Sequence, residues 1–338
     1  MELNVIWFVL LTVLFCGYVV LDGFDLGVGM IHLGLKSDLE RRTSLNAIGP
    51  VWDANEVWLI TAGGALFAAF PDVYATVFSG FYTAFMLFLL VIIGRAISIE
   101  FRGKVESDKW KKTWDFIFCL SSYLIVLLLG VSLGNIITGI PVYQDKEFAG
   151  TFFTLLNPYA VMTGITAVLL IRMHGKIFLA VKTEGEIQQR IAKGINSSLI
   201  LFIIAYIFHG AWTIILYPGV TKNFVAFPVW FILPAFIILS IIVIPGFINS
   251  RLYFRAFIAS SAILAFCIAI AAIDIYPNLV ISNPNPENSL TIFNASSSQK
   301  TLFTMLIIAC IGLPLMFIYK IFVYRIFRGK VKIDNMSY

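Results

Sequence analysis

The chain has 338 residues, of which 59% are hydrophobic and 13% charged, and its mean hydropathy is +0.91. That composition excludes a soluble globular domain and places the chain among polytopic membrane proteins. The formal net charge of +5 does not point to nucleic acid, because the basic residues sit at the ends of apolar runs, where they act as topology signals.

A bilayer demands roughly 20 apolar residues per helix. On that measure the chain reads as nine membrane helices, over about 5–31, 52–70, 73–101, 114–140, 157–175, 195–217, 225–249, 253–277 and 301–327. No basic leader and cleavage site precede the first, so no removable signal peptide is expected. The first span carries GYVVLDGFDLGVGM, and the second carries GPVWDANEVWLITAGGALF and stops at the Phe70-Pro71-Asp72 turn. The seventh contains Pro234 and Pro245, tolerable where packed neighbours satisfy the freed carbonyls. Between the last two spans, residues 278–300 are rich in Asn, Ser and Pro, turn chemistry expected to lie across the outer face. Cys16, Cys119, Cys267 and Cys310 all fall in apolar runs and read as buried thiols. With the N-terminus outside and the C-terminus in the cytoplasm, 21 of the 24 Lys and Arg residues fall on the inner side, as the positive-inside rule requires. The expected fold is therefore an all-α polytopic membrane protein, one integral membrane domain over 1–338.

Two acidic pairs interrupt these helices: Asp22 and Asp25 in the first, Asp53 and Glu56 in the second. A charged group at mid-bilayer costs roughly 2.5–3.5 kcal/mol on insertion scales, and carboxylates are too short to snorkel as Lys and Arg do. Each pair is spaced by three residues, which puts its members on one helix face. The short connection makes the two helices antiparallel neighbours, so the pairs are expected to meet at one depth, toward the cytoplasm. Gly23 and Gly27 flank Asp25 with small-residue spacing that lets another helix approach closely. Crowded carboxylates in a low-dielectric site suit a proton or cation route, which Asn55 and Thr61 could extend. Arg95 on the third span is the expected counter-ion. Glu100 and Asp115 are expected nearer the interface, and Asp274 near the outer end of the eighth helix. Trp58 sits beside the acids, a turn and a half inside its span.

The only histidines, His32, His174 and His209, are expected near helix ends. A bis-histidine heme needs paired imidazoles at matching depth, so no heme, metal or other redox centre is expected in this chain. These residues leave three readings open: a proton- or cation-coupled transporter acting alone, a structural scaffold whose acids satisfy Arg95, or a proton-conducting subunit of a larger enzyme.

The run DGFDLGVGM, followed by ERRTSLNAIGPVWDANEVWLITAGGALFAAFPDVYATVFSGFY, resembles subunit II of the bacterial cytochrome bd-type quinol oxidases, and LLNPYAVMTG and FNASSSQKTL match the same family farther along. The resemblance implies two four-helix bundles plus one peripheral helix in the cell membrane. It implies a heme-bearing subunit I as partner, holding two b hemes and a heme d, which oxidises quinol on the outer side and reduces oxygen to water. Protons drawn from the cytoplasm would pass through acids of subunit II, which map onto Asp25 and Asp53, with Asp22 and Glu56 beside them. Glu56 stands where one branch of the family has glutamine. Trp58 matches a tryptophan associated in that branch with an oxygen access route, or else lines the subunit interface. The resemblance leaves room for a bound quinone and for a small single-helix subunit.

Overall fold

In a computed structural model the described residues are 2–333; Met1 and 334–338, the two ends of the expected domain, lie outside the described residues. Nearly everything described is helix: α1 (Leu3–Ile31), α2 (Asp38–Ile48), α3 (Trp52–Ala69), α4 (Pro71–Gly80), α5 (Tyr82–Phe101), α6 (Asp108–Thr138), α7 (Pro158–Lys182), α8 (Gly185–Lys193), α9 (Ile195–Leu216), α10 (Lys222–Ala226), α11 (Ile232–Asn249), α12 (Tyr253–Ile275) and α13 (Gln299–Ile326). Among these, eight helical segments are long and apolar enough to cross a membrane. The 18-residue α3 is not one of the eight, because Asp53, Asn55 and Glu56 crowd its first turns.

The bundle is organised around α7, which touches α1, α6, α9 and α12. Its contact with α1 is backbone to backbone. A Cβ on Gly27 would lie 2.2 Å from Ile171 O and 2.7 Å from Gly175 N, so any side chain there forces the helices apart. With no aqueous phase to drive helices together in lipid, such close van der Waals contact is what holds them. α13 runs along the outside, touching α1 and α3.

Several elements depart from the sequence expectation, each for a local reason. The third helix, expected over 73–101, is two: Pro71 starts α4 at its first position, where the missing N–H is harmless, and the chain breaks at Phe81 before α5. Phe148 of the α6–α7 connection covers the break, lying 2.7 Å from where a Gly80 Cβ would be. The fifth helix does not end near Gly175, which packs on Gly27 instead; α7 continues to Lys182. The seventh does not begin near 225: Pro228 opens a single 3₁₀ turn and α11 starts at Ile232, two residues before Pro234. α2 was not expected. Ser37 caps it by accepting the Glu40 N–H at 3.2 Å, while the Glu40 carboxylate accepts the Lys36 N–H at 2.7 Å, a variant of the capping box that SDLE spells out.

The polar segment between α12 and α13 is more ordered than its composition suggests. Strands β1 (Asn278–Val280) and β2 (Leu290–Thr291) pair antiparallel. Val280, Leu290, Ile292 and Ala295 join Trp7, Phe8, Leu11 and Phe70 in a small core at that end of the bundle. Asn4 Nδ2 ties it down by donating to Ile292 O at 2.7 Å.

Candidate functional site

Asp22 and Asp25 lie in the last third of α1 and are fully buried. Asp22 faces α5, where Arg95 Nη2 donates to its Oδ1 at 2.9 Å. The same guanidinium reaches Glu56 Oε2 on α3 at 3.3 Å and lies 5.9 Å from the Trp52 ring centre. Arg95 is itself wholly buried, so it must be held by carboxylates.

Asp25 faces α3 and accepts from Asn55 Nδ2 at 2.8 Å. The other end of that carboxamide looks toward α13: Asn55 Oδ1 accepts from Lys320 Nζ at 2.8 Å and from Tyr324 OH at 3.0 Å. Lys320 Nζ also donates to Ala54 O at 2.6 Å. Four helices therefore meet in one network of three carboxylates (Asp22, Asp25, Glu56) and two cations (Arg95, Lys320). Asp22 Oδ2 and Asp25 Oδ1 are buried with no donor in hydrogen-bonding geometry, the Tyr18 hydroxyl standing beside Asp22.

Asp53 is not part of it. The structure puts Asp53 on the exposed face of α3, in line with Val57, Ile60, Gly64 and Phe67, contrary to the expectation that both acidic pairs meet. Asn55, buried, faces α1, and Asp53 two residues earlier is about 200° around the helix. Thr61 does not extend the network either; its hydroxyl returns to Val57 O at 2.9 Å. Trp58 is buried as a wedge. A Cβ on Gly17 would lie 2.3 Å from its ring, Phe317 of α13 packs edge-on, and Lys320 Nζ stands 5.8 Å from the ring centre.

A second polar cluster lies where the ends of α1, α2, α5 and α6 come together, and Asp115, buried, is its centre. Asp115 Oδ1 shares hydrogen bonds with His32 Nε2 (2.7 Å) and Arg102 Nε, and Oδ2 with Arg41 Nη1 (2.9 Å) and Arg102 Nη2 (3.3 Å). Arg102 also donates to Asp38 at 2.8 Å. The cluster floors an open cleft of about 480 Å³ edged by Lys36, Asp108, Lys111 and Lys112.

Each of the three histidines makes a hydrogen bond within the chain. His32 is engaged by Ser44 and Asp115. His174 is not near a helix end, since α7 continues past it; both its nitrogens are engaged, by Ser260 Oγ at 2.7 Å and Val20 O at 3.1 Å. His209 sits seven residues inside the end of α9, with Nε2 2.9 Å from Thr163 Oγ1 and its ring beside Tyr159. Among the described residues no group of three or more His, Cys, Asp or Glu side chains is placed to hold a metal ion.

Sequence reasoning missed Lys320, one of the 21 basic residues assigned to the inner side, and did not single out Tyr324. Their signal is the four-residue spacing of two polar groups on one face of an otherwise apolar helix. It also missed the Asp115 cluster, whose members lie on four separate segments.

The profile for "Cytochrome bd terminal oxidase subunit II" matches residues 3–327. The chain belongs to that family. It is 35% identical over 334 residues to cytochrome bd ubiquinol oxidase subunit 2 of Bacillus subtilis (strain 168), covering 98% of this chain and 97% of that one. It is 34% identical over 369 residues to cytochrome bd-I ubiquinol oxidase subunit 2 of Escherichia coli (strain K12), covering 99% and 97%. The fold is similar to that in the structure of bd oxidase from Geobacillus thermodenitrificans, with a TM-score of 0.81 over 97% of this chain and 99% of that one at 16% identity. As a subunit II of the bd terminal oxidases, the chain is one part of a multi-pass bacterial membrane enzyme that works as a complex.

Proposed function

We propose that this chain is the heme-free, proton-delivering subunit of a quinol-oxidising, oxygen-reducing complex. The two b hemes, the heme d and the quinol chemistry belong to subunit I. Reduction of oxygen to water consumes one proton for each electron, and this chain supplies a route for those protons from the cytoplasm. The topology is nine spans, α3 with α4–α5 completing the set as the second and third, N-terminus outside and C-terminus inside. The 21-of-24 placement of Lys and Arg supports it. The contacts among α1, α3, α5 and α6, and among α7, α9, α11 and α12, support two four-helix bundles with α13 peripheral.

The observation that carries the reading is the charge balance of the buried network. Three carboxylates face two cations, so full ionisation leaves one uncompensated negative charge inside the bundle, which is costly. One bound proton removes it, and the donor-free Asp25 Oδ1 and Asp22 Oδ2 are where it can sit. Asp53, a carboxylate on an exposed helix face, hands protons to subunit I in this reading. Trp58, wedged between α1 and α13, packs the site.

The test is turnover of the purified complex carrying Asp25→Asn or Asp53→Asn. Hemes assemble as in the parent and oxygen consumption falls about tenfold, equivalent to about 1.4 kcal/mol. Parent turnover in Asp25→Asn, with full heme content, refutes the route. A transporter acting alone would instead carry protons or cations in vesicles holding only this chain.

A further inference from the structure

Asn55 is the only bridge described between Asp25 and α13, and its orientation is not free. Its carboxamide has one acceptor and one donor end, and the two are set by their neighbours. Lys320 and Tyr324 are both donors, so Oδ1 must face them at 2.8 and 3.0 Å, and Nδ2 must then face Asp25 at 2.8 Å. Turned the other way, the amide would put an oxygen against the Asp25 carboxylate and an N–H against an ammonium. Lys320 and Tyr324 at one end, and Leu21 O accepting from Nδ2 at 3.3 Å at the other, thus keep an N–H on Asp25 Oδ2, and Oδ1 is left to take a proton. Lys320 also supplies one of the two positive charges that balance the carboxylates. Without it, three acids would face Arg95 alone. Lys320 is buried although α13 as a whole is exposed, so the helix delivers this ammonium to a site it otherwise barely touches.

We propose that Lys320 is a positioning residue of the proton route: its ammonium orients Asn55 toward Asp25 and sets the number of protons the buried network holds, so that α13 governs proton passage through α1. This inference rests on the proton-delivery reading above. The groups that face the network are Tyr18, Asp22 and Asp25 from α1, Asn55 and Glu56 from α3, Arg95 from α5, and Lys320 and Tyr324 from α13. Of the other helices packed on α1, α7 presents His174, already bonded to Val20 O and Ser260, α6 presents Cys119, bonded to Met30 O, and α12 presents Cys267.

The experiment compares Lys320→Gln, Lys320→Arg and Asp25→Asn in the whole purified complex, reading heme content and the pH profile of quinol-dependent oxygen consumption. Lys320→Gln keeps an N–H donor for Asn55 and removes only the charge. The network then holds an additional proton that it gives up less readily, so turnover near neutrality falls several-fold and the optimum moves to higher pH by about one unit. Lys320→Arg, which keeps charge and donors, retains the parent optimum. A Lys320→Gln complex with full heme content and the parent profile overturns the proposal. So does an equal loss of turnover in both Lys320 variants with no displacement of the optimum, since that is what a packing role alone would give. Asp25→Asn separates the two levels: slow Asp25→Asn beside an unshifted Lys320→Gln removes only the Lys320 inference, whereas parent turnover in Asp25→Asn removes the proton route itself.

Discussion

Two buried acidic clusters stand within one end of this bundle, built from the same residue types and holding opposite chemistry. Around Asp115, two carboxylates (Asp115, Asp38) face two guanidiniums (Arg41, Arg102), and both oxygens of Asp115 are engaged. Lys111 adds a third cation beside Asp38, so the fully ionised cluster carries no excess negative charge, and Asp115 has no oxygen to spare. Around Asp25, three carboxylates face two cations, and two carboxylate oxygens have no donor. The first arrangement locks segments together; the second has room for one proton. On the reading proposed above, what separates Asp115 from Asp22 and Asp25, all of them buried, is the number of donors and the sign of the residual charge.

The comparison can be broken most sharply at Asp115. Asp115→Asn leaves two guanidiniums around one neutral side chain, and losing one partner of a buried ion cluster costs on the order of 3–5 kcal/mol. Thermal unfolding of the complex in detergent should show a marked drop, with lower heme yield but unchanged turnover per assembled heme. A turnover defect at normal stability would show that the two clusters share one function.

Asp22→Asn is the opposite case. Asn keeps an oxygen for Arg95 and removes a charge the network holds in excess, so thermal stability should change by less than about 1 kcal/mol while turnover falls severalfold. Oxygen consumption normalised to heme content checks it; a large destabilisation with parent turnover would make Asp22 a second Asp115.

Arg95→Lys sharpens the geometry. A lysine keeps the charge but cannot serve Asp22 and Glu56 with a rigid fork, so assembly should persist with turnover reduced less than in Asp22→Asn. Heme spectra and oxygen uptake on one preparation report both.

The smallest effect is expected at Glu40, outside the spans. Partial burial pushes its carboxyl up, but the Arg190 guanidinium and the backbone N–H groups of Lys36 and Ser37 outweigh that and hold it below its ordinary value of 4.5. A depressed folded value means that the stabilisation is present above about 4.5 and is lost as the pH falls through the folded value. Protection factors of the α2 amides, corrected for the intrinsic pH dependence of exchange, should therefore fall on acidification in the parent. In Glu40→Gln they should already be low at neutral pH and insensitive to acid.

Much of the fold was legible in advance, because burial in lipid makes backbone satisfaction and hydropathy dominant signals. The long apolar runs became helices, and Gly27 does mark a close approach of α7 to α1. Helix ends were read less well, since Pro228 and Gly175 acquire their meaning only from what packs on them. Within the site, three-residue spacing correctly put Asp22 and Asp25 on one helix, and Arg95 does pair with Asp22 and Glu56. The same spacing rule failed on α3, where the rotation of the helix, set by Asn55 against α1, turned Asp53 outward.

The sequence by itself determined that this is a polytopic helical membrane protein with acids too costly to bury alone, because hydropathy and charge are local properties of the chain. Only the tertiary structure decided which acids share a cation, which oxygens lack a donor, and that Lys320 reaches across from a peripheral helix. Those are sums over groups hundreds of residues apart, and no local pattern in the chain encodes them.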